Sequence, residues 1–142
     1  MKISRVEKQE VARFLPLPLF TSSVPAGFPS PADDYIENSL DLNDYLIKHP
    51  SSTYFARAAG DSMIERGILD KALLIVDRAI EPRQGQVVIA AINGELTCKV
   101  LDIANKQLLA ANPAYAPILI TEDSDLLIEG VVVHAINTLC TP

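Results

Sequence analysis

Two side chains in this sequence are placed so that they could share a proton. Gly60-Asp61-Ser62-Met63 puts a serine just behind a glycine, where a turn can expose its hydroxyl and aim backbone N–H groups at a developing oxyanion. Lys99 stands between Cys98 and Val100 in an otherwise apolar run, an unusual position for a charged side chain. A serine hydroxyl becomes a useful nucleophile only beside a base. An ordinary lysine, with a pKa of ~10.4, is neutral in about one molecule in a few thousand at pH 7. Only a buried lysine would serve, because desolvation can bring its midpoint down by ~3 to 5 pH units. Thr97 shares a strand face with Lys99 and offers a hydroxyl to hold the amine, whereas Cys98 points the other way, into the core. Each residue also has a plainer reading, Ser62 as a helix N-cap and Lys99 as the solvent-facing residue of an edge strand.

A serine activated by a lysine could attack an acyl carbon, and one stretch of the chain has the character of a protease substrate. Ser23-Val24-Pro25-Ala26-Gly27-Phe28 has prolines on both sides, little helix tendency, and small residues at the Ala26–Gly27 bond. It can lie extended beside a sheet edge, as a protease substrate does. A flexible proline-rich linker is the plainer alternative. Residues 1–26 can also be read as an export signal, with early basic residues and an apolar stretch from Phe14 to Phe20. Pro16 and Pro18 interrupt that stretch, Glu7 and Glu10 sit among the basic residues, and export would leave Ser62 and Lys99 without a purpose.

The elements that must position this chemistry are mainly β. Pro16, Pro18, Pro25, Pro29 and Pro31 crowd the first part of the chain and disfavour both helix and interior strand, so residues 1–36 are expected to form an extended, flexible arm. Leu40, Leu42, Tyr45, Leu46 and Ile47 suit a short helix or turn that stops before Pro50. Beyond it, strands are expected at Thr53–Ala58, Ala72–Val76, Val87–Ile92, Leu96–Ile103, Gln107–Ala111 and Leu126–Ile136. Asn93-Gly94 takes the positive φ angles of a type I′ hairpin turn and places Lys99 on the returning strand. Asp61–Arg66 should form a turn or a single helical turn starting near Ser62.

Composition narrows the function. A chain of 142 residues with 49% hydrophobic and 21% charged residues supports one domain with a core and an arm. No window approaches the apolar length of a membrane helix. A net charge of -6 argues against direct tight binding to nucleic acid. Cys98 and Cys140 fit neither a disulfide framework nor a zinc site and suit a reducing cytoplasm. His49 and His134 lack ligands at helical spacing, so neither a metal nor another cofactor is expected.

Gly-Asp-Ser-Met-Ile at 60–64, Leu-Leu-Ile-Val-Asp at 73–77, Gly-Gln-Val-Val-Ile-Ala at 85–90 and Asn-Gly-Glu-Leu-Thr-Cys-Lys at 93–99 follow one another in an order that resembles the peptidase core of the LexA/UmuD family. Asn112-Pro113-Ala114-Tyr115 and Glu129-Gly130-Val131-Val132 extend the likeness, which spans roughly residues 20–138. The resemblance implies a compact, β-clip-like peptidase core and dimerisation domain over 37–142, behind the arm. It places Ser62 on the family's nucleophile, Lys99 on its general base, and Ala26–Gly27 on its self-cleaved bond. Only 26 residues precede that bond, too few for the helix-turn-helix domain of a LexA repressor, so the likeness is nearer to the UmuD branch. That branch implies a homodimer whose cleavage is stimulated by RecA filaments on single-stranded DNA. Its shortened form works with a UmuC-type Y-family polymerase in translesion synthesis. A non-catalytic β-domain that regulates a partner is the remaining alternative.

Overall fold

The computed structural model describes residues 1–8, 14–20 and 36–142. The expected cleavage bond, Ala26–Gly27, lies outside them. The chain divides into two compact units, one made of Met1–Gln9 with His49–Pro142 and the other of Glu10–Lys48.

The smaller unit carries β2 (Pro16–Phe20), β3 (Ile36–Asp41) and α1 (Leu42–Leu46). Its two strands pair antiparallel, Pro16 opposite Asp41 and Pro18 opposite Ser39. Prolines were expected to prevent a strand here, and the ladder's geometry explains why they do not. Residues two apart are equivalent in an antiparallel pair, so both prolines can occupy positions whose N–H would face away from the partner. The Asp41 carboxylate caps α1 by accepting from the Asn43 N–H, and the short helix ends before Pro50, as the sequence indicates.

The larger unit is an eight-stranded sheet with the order β1-β4-β5-β10-β6-β7-β8-β9. Its strands are β1 (Lys2–Lys8), β4 (Thr53–Ala59), β5 (Leu73–Asp77), β6 (Val87–Ile92), β7 (Glu95–Asp102), β8 (Gln107–Leu109), β9 (Ile118–Leu119) and β10 (Leu126–Ile136). The six longer strands after residue 50 follow the expected apolar runs, shortened at Gln107–Leu109. β1 has no counterpart in the sequence reading, which gave residues 1–36 to the arm. It pairs with β4 from Lys2 opposite Ala59 to Lys8 opposite Tyr54, and Lys2 also pairs with Thr97 of β7. With β1 touching both strands, the sheet closes into a barrel-like core.

Two buried clusters fill it. Ala56, Met63, Leu74, Val76, Ile89 and Cys98 belong to one, and Val88, Ala90, Ile92, Leu101, Leu108 and Val131 to the other. Alternate residues of β6 enter different clusters, so both faces of this strand are covered and its sequence is a continuous apolar run. The β6–β7 hairpin turns at Asn93 and Gly94, with φ of 50° and 85°, as a type I′ turn requires.

β10 shifts register between Ile128 and Gly130, where Gly130 has φ of 147°. A Cβ there would lie 2.6 Å from Val76 Cγ1. Gly130→Ala is therefore expected to cost about 1–3 kcal/mol of unfolding free energy, read from denaturant titration. At the end of β7 the buried Asp102 carboxylate accepts from Gln107, Asn105 and Gln84 side chains, and these hold its pKa down at about 2, against an ordinary 3.8. A carboxylate with a depressed folded-state pKa stabilises the fold above its ordinary value and loses that contribution as pH falls toward 2. Melting temperatures measured between pH 5 and 2 should therefore fall more steeply for the natural protein than for Asp102→Ala, which is the less stable of the two at neutral pH.

Candidate active site

β4 ends at Ala59, and the chain leaves it through Gly60, whose φ of 95° is open to glycine and strained for most other residues. The Gly60 N–H is held by the Asp70 carboxylate. Asp61 and Ser62 form the turn, and Met63 drops into the core with no exposed surface. One helical turn follows at Ile64–Arg66 and closes at Gly67, in line with the turn expected at Asp61–Arg66. Ser62 itself is 2% exposed, and the cap position of that turn falls on Met63 with no side-chain oxygen accepting from its N–H groups, so Ser62 does not act as an N-cap.

β7 supplies the second group. Lys99 is 6% exposed, so it is not the outward residue of an edge strand. Its Nζ lies 3.1 Å from Ser62 Oγ, 3.1 Å from Thr97 Oγ1 and 3.3 Å from the Cys98 carbonyl oxygen. An ammonium has three hydrogens, and each finds an acceptor here. If the amine is neutral, two N–H groups can remain on Thr97 and Cys98 while the lone pair faces Ser62 Oγ. The same geometry thus accommodates the donor and the acceptor form of the amine. Among the described residues no carboxylate lies within ion-pair distance of Lys99.

Thr97 holds the amine as its shared strand face suggests, and it carries a further load. Its hydroxyl donates to the Met1 carbonyl at 2.8 Å, leaving both lone pairs for the Lys99 Nζ and the Met1 amine, the latter at 3.5 Å. The Met1 carbonyl also accepts from the Cys98 N–H at 2.7 Å. The Met1 amine is pushed down to about 5, first by burial and then by its neighbour Lys99. Sequence reasoning did not connect Met1 with this site, because only the pairing of β1 brings the two together. Cys98 points into the core, where burial pushes its thiol up to about 12 and makes it a poor nucleophile.

Ser62 and Lys99 open onto a cleft of about 490 Å³ whose walls include Gly60, Ile92, Leu96, Tyr115 and Ile118. The wall is mostly apolar, and its buried polar groups among the described residues include Ser62, Thr97, Lys99 and the Met1 amine, an arrangement suited to an extended peptide with small side chains. Tyr115 donates to the Asp61 carboxylate, and Asn112 donates to the Asp61 carbonyl oxygen at 3.0 Å. The remaining candidates lie elsewhere. His49 pairs through Nδ1 with the Asp77 carboxylate, His134 lies on β10 opposite Ile75, and Cys140 is exposed near the chain end. No group of three metal-ligating side chains occurs among the described residues, and no helix among them is long and apolar enough to cross a membrane.

The arrangement has known relatives. Residues 18–133 match the family described as Peptidase S24-like. The chain is 51% identical to Protein SamA of Salmonella typhimurium over 121 residues, covering 84% of each chain. It is 44% identical to Protein ImpA of Escherichia coli over 126 residues, covering 84% of this chain and 83% of ImpA. Protein MucA of Escherichia coli shares 36% identity over 138 residues, 96% of this chain and 94% of MucA. A match over most of the chain, together with relatives aligned along nearly their whole length, identifies this β-protein as a UmuD-type member of the LexA/UmuD, or S24-like, peptidase family.

Proposed function

We propose that the chain cuts its own Ala26–Gly27 bond, with Ser62 as nucleophile and Lys99 as general base. The observation that carries this reading is the 3.1 Å contact between two buried side chains, Lys99 Nζ and Ser62 Oγ. Neutral Lys99 takes the hydroxyl proton as Oγ attacks the Ala26 carbonyl carbon. The tetrahedral intermediate collapses as the Lys99 ammonium returns that proton to the Gly27 nitrogen, which leaves with the new amino terminus. Ala26 remains as an ester on Ser62. Water then attacks the ester, Lys99 takes a proton from it and gives one back to Ser62 Oγ, and a carboxylate is released at Ala26.

Family membership supports the wider setting. The arm is 1–36 and the peptidase and dimerisation core is 37–142, with β1 returning to the core sheet. The protein acts in the cytoplasm as a homodimer in the SOS response. RecA filaments on single-stranded DNA stimulate its cleavage, and the shortened form joins a UmuC-type Y-family polymerase in translesion synthesis. A filament need contribute no reacting group. It need only bind the arrangement with the arm docked in preference to others, and so raise the population from which cleavage occurs.

The base must be neutral to accept a proton, so slow self-cleavage should accelerate as pH rises from 7 toward 10. Intact mass is the measurement. The expected fragments meet at Ala26–Gly27, and Ser62→Ala or Lys99→Ala should lower the rate by more than about a thousand-fold. Fragments from another bond, or an undiminished rate in Lys99→Ala, would overturn the assignment. At neutral pH, filaments of RecA with single-stranded DNA and nucleotide should accelerate the same cut, while DNA alone should not, given the acidic chain. Equal rates with filament, RecA alone and DNA alone would remove the regulatory part.

A further inference from the structure

We propose that Tyr115 and Asn112 are positioning residues for Ser62: they clamp Asp61, the residue just before it, and so keep the serine hydroxyl within reach of Lys99. This rests on the reading of Ser62 as nucleophile. The inner side of the turn is anchored by Met63, which is wholly buried. On the outer side the Asp70 carboxylate accepts from the Gly60 N–H, and Asp61 itself needs a further anchor. The loop after β8 fills that role. Tyr115 O–H donates to Asp61 Oδ1, Asn112 Nδ2 donates to the Asp61 carbonyl oxygen at 3.0 Å, and the Glu65 N–H donates to the Ala111 carbonyl oxygen at 2.9 Å. One short loop therefore grips the chain on both sides of Ser62.

The loop is itself internally fixed, as a clamp must be. Asn112 Oδ1 accepts from the Ala114 N–H at 2.9 Å, and the Asn112 carbonyl oxygen accepts from the Tyr115 N–H at 3.1 Å. The Asp61 carbonyl oxygen also accepts from the Ile64 N–H, so both of its lone pairs are used and rotation of that peptide would break two bonds. Rotation there would carry Ser62 Oγ away from Nζ, and a misplacement of about 1 Å at a reacting atom can cost about 100-fold in rate. The hydrogen bond to Asp61 holds the Tyr115 phenol above its usual range, so the clamp persists in the alkaline conditions that favour cleavage. Tyr115 is half-exposed, so its hydroxyl contributes little to folding and its loss can be read in rate alone.

The test uses the full chain and two rates, alkaline self-cleavage and labelling of Ser62 by a fluorophosphonate, with Ser62→Ala as the blank and thermal unfolding as a control for folding. Tyr115→Phe keeps the ring that lines the cleft and removes only the donor. It should slow both rates by about 10- to 100-fold with an unchanged melting temperature. Asp61→Ala should do the same, and the double variant should be no slower than the slower single, because both changes break one bond. Asp61→Asn, which keeps an acceptor for Tyr115, should restore the rates to within about threefold of the natural protein. Asn112→Ala should be slowed whether or not Tyr115 is intact. Rates in Tyr115→Phe equal to those of the natural protein, or multiplicative losses in the double variant, overturn the proposal. Natural protein that labels at Ser62 yet never cuts itself would overturn the self-cleavage reading, while the labelling rates would still decide the clamp.

Discussion

A primary amine enclosed within a β-sheet must find a partner for each of its hydrogens, because an isolated ammonium in an apolar surround is severely penalised. Lys99 meets this demand with a hydroxyl from its own strand, a backbone carbonyl beside it, and Ser62 from across the barrel. None of these partners carries a negative charge. The rest of the site follows from that requirement. Thr97 must face the same way as Lys99, and the turn from β4 must arrive at hydrogen-bonding distance.

Two devices meet these conditions. The Asn93–Gly94 turn sets the register of β6 against β7, pairing Val88 with Lys99 and Ala90 with Thr97, and a slip by one residue would send both polar side chains into the first apolar cluster. On the other side, Gly60 redirects the chain out of β4 and Met63 returns it to the core, so that Ser62 lies between a bend and an anchor. β1 completes the enclosure through the Met1 main chain, which bonds to Thr97 and Cys98 beside the amine. Burial of Lys99 thus depends on a strand far from it in sequence.

Much of this is legible in the amino-acid sequence. The apolar runs of β5 to β7 stand out because both sheet faces are covered, and Asn-Gly marks their sharpest reversal. Thr97, Cys98 and Lys99 take the faces that simple alternation assigns. What could not be read had a common physical cause. Met1–Lys8 forms β1 through partners roughly fifty and a hundred residues away, and its own sequence mixes charged and apolar residues without strong alternation. Pro16 and Pro18 argue against a strand until a two-stranded ladder with a free edge is considered. Asn112 and Tyr115 stood out only as part of a family likeness, since their bonds to Asp61 depend on how the loop folds back over the turn.

Cys98 sits one residue from Lys99, where a more accessible thiol would have rivalled the serine. Enclosure in the first cluster and a thiol pushed up to about 12 leave it chemically silent near neutral pH. Cys140, by contrast, lies in the open beyond the last strand. The natural chain therefore offers a single attachment point for a maleimide fluorophore, on a segment remote in sequence from both the arm and the reacting groups, so that intermolecular distances could be followed by energy transfer without altering one residue.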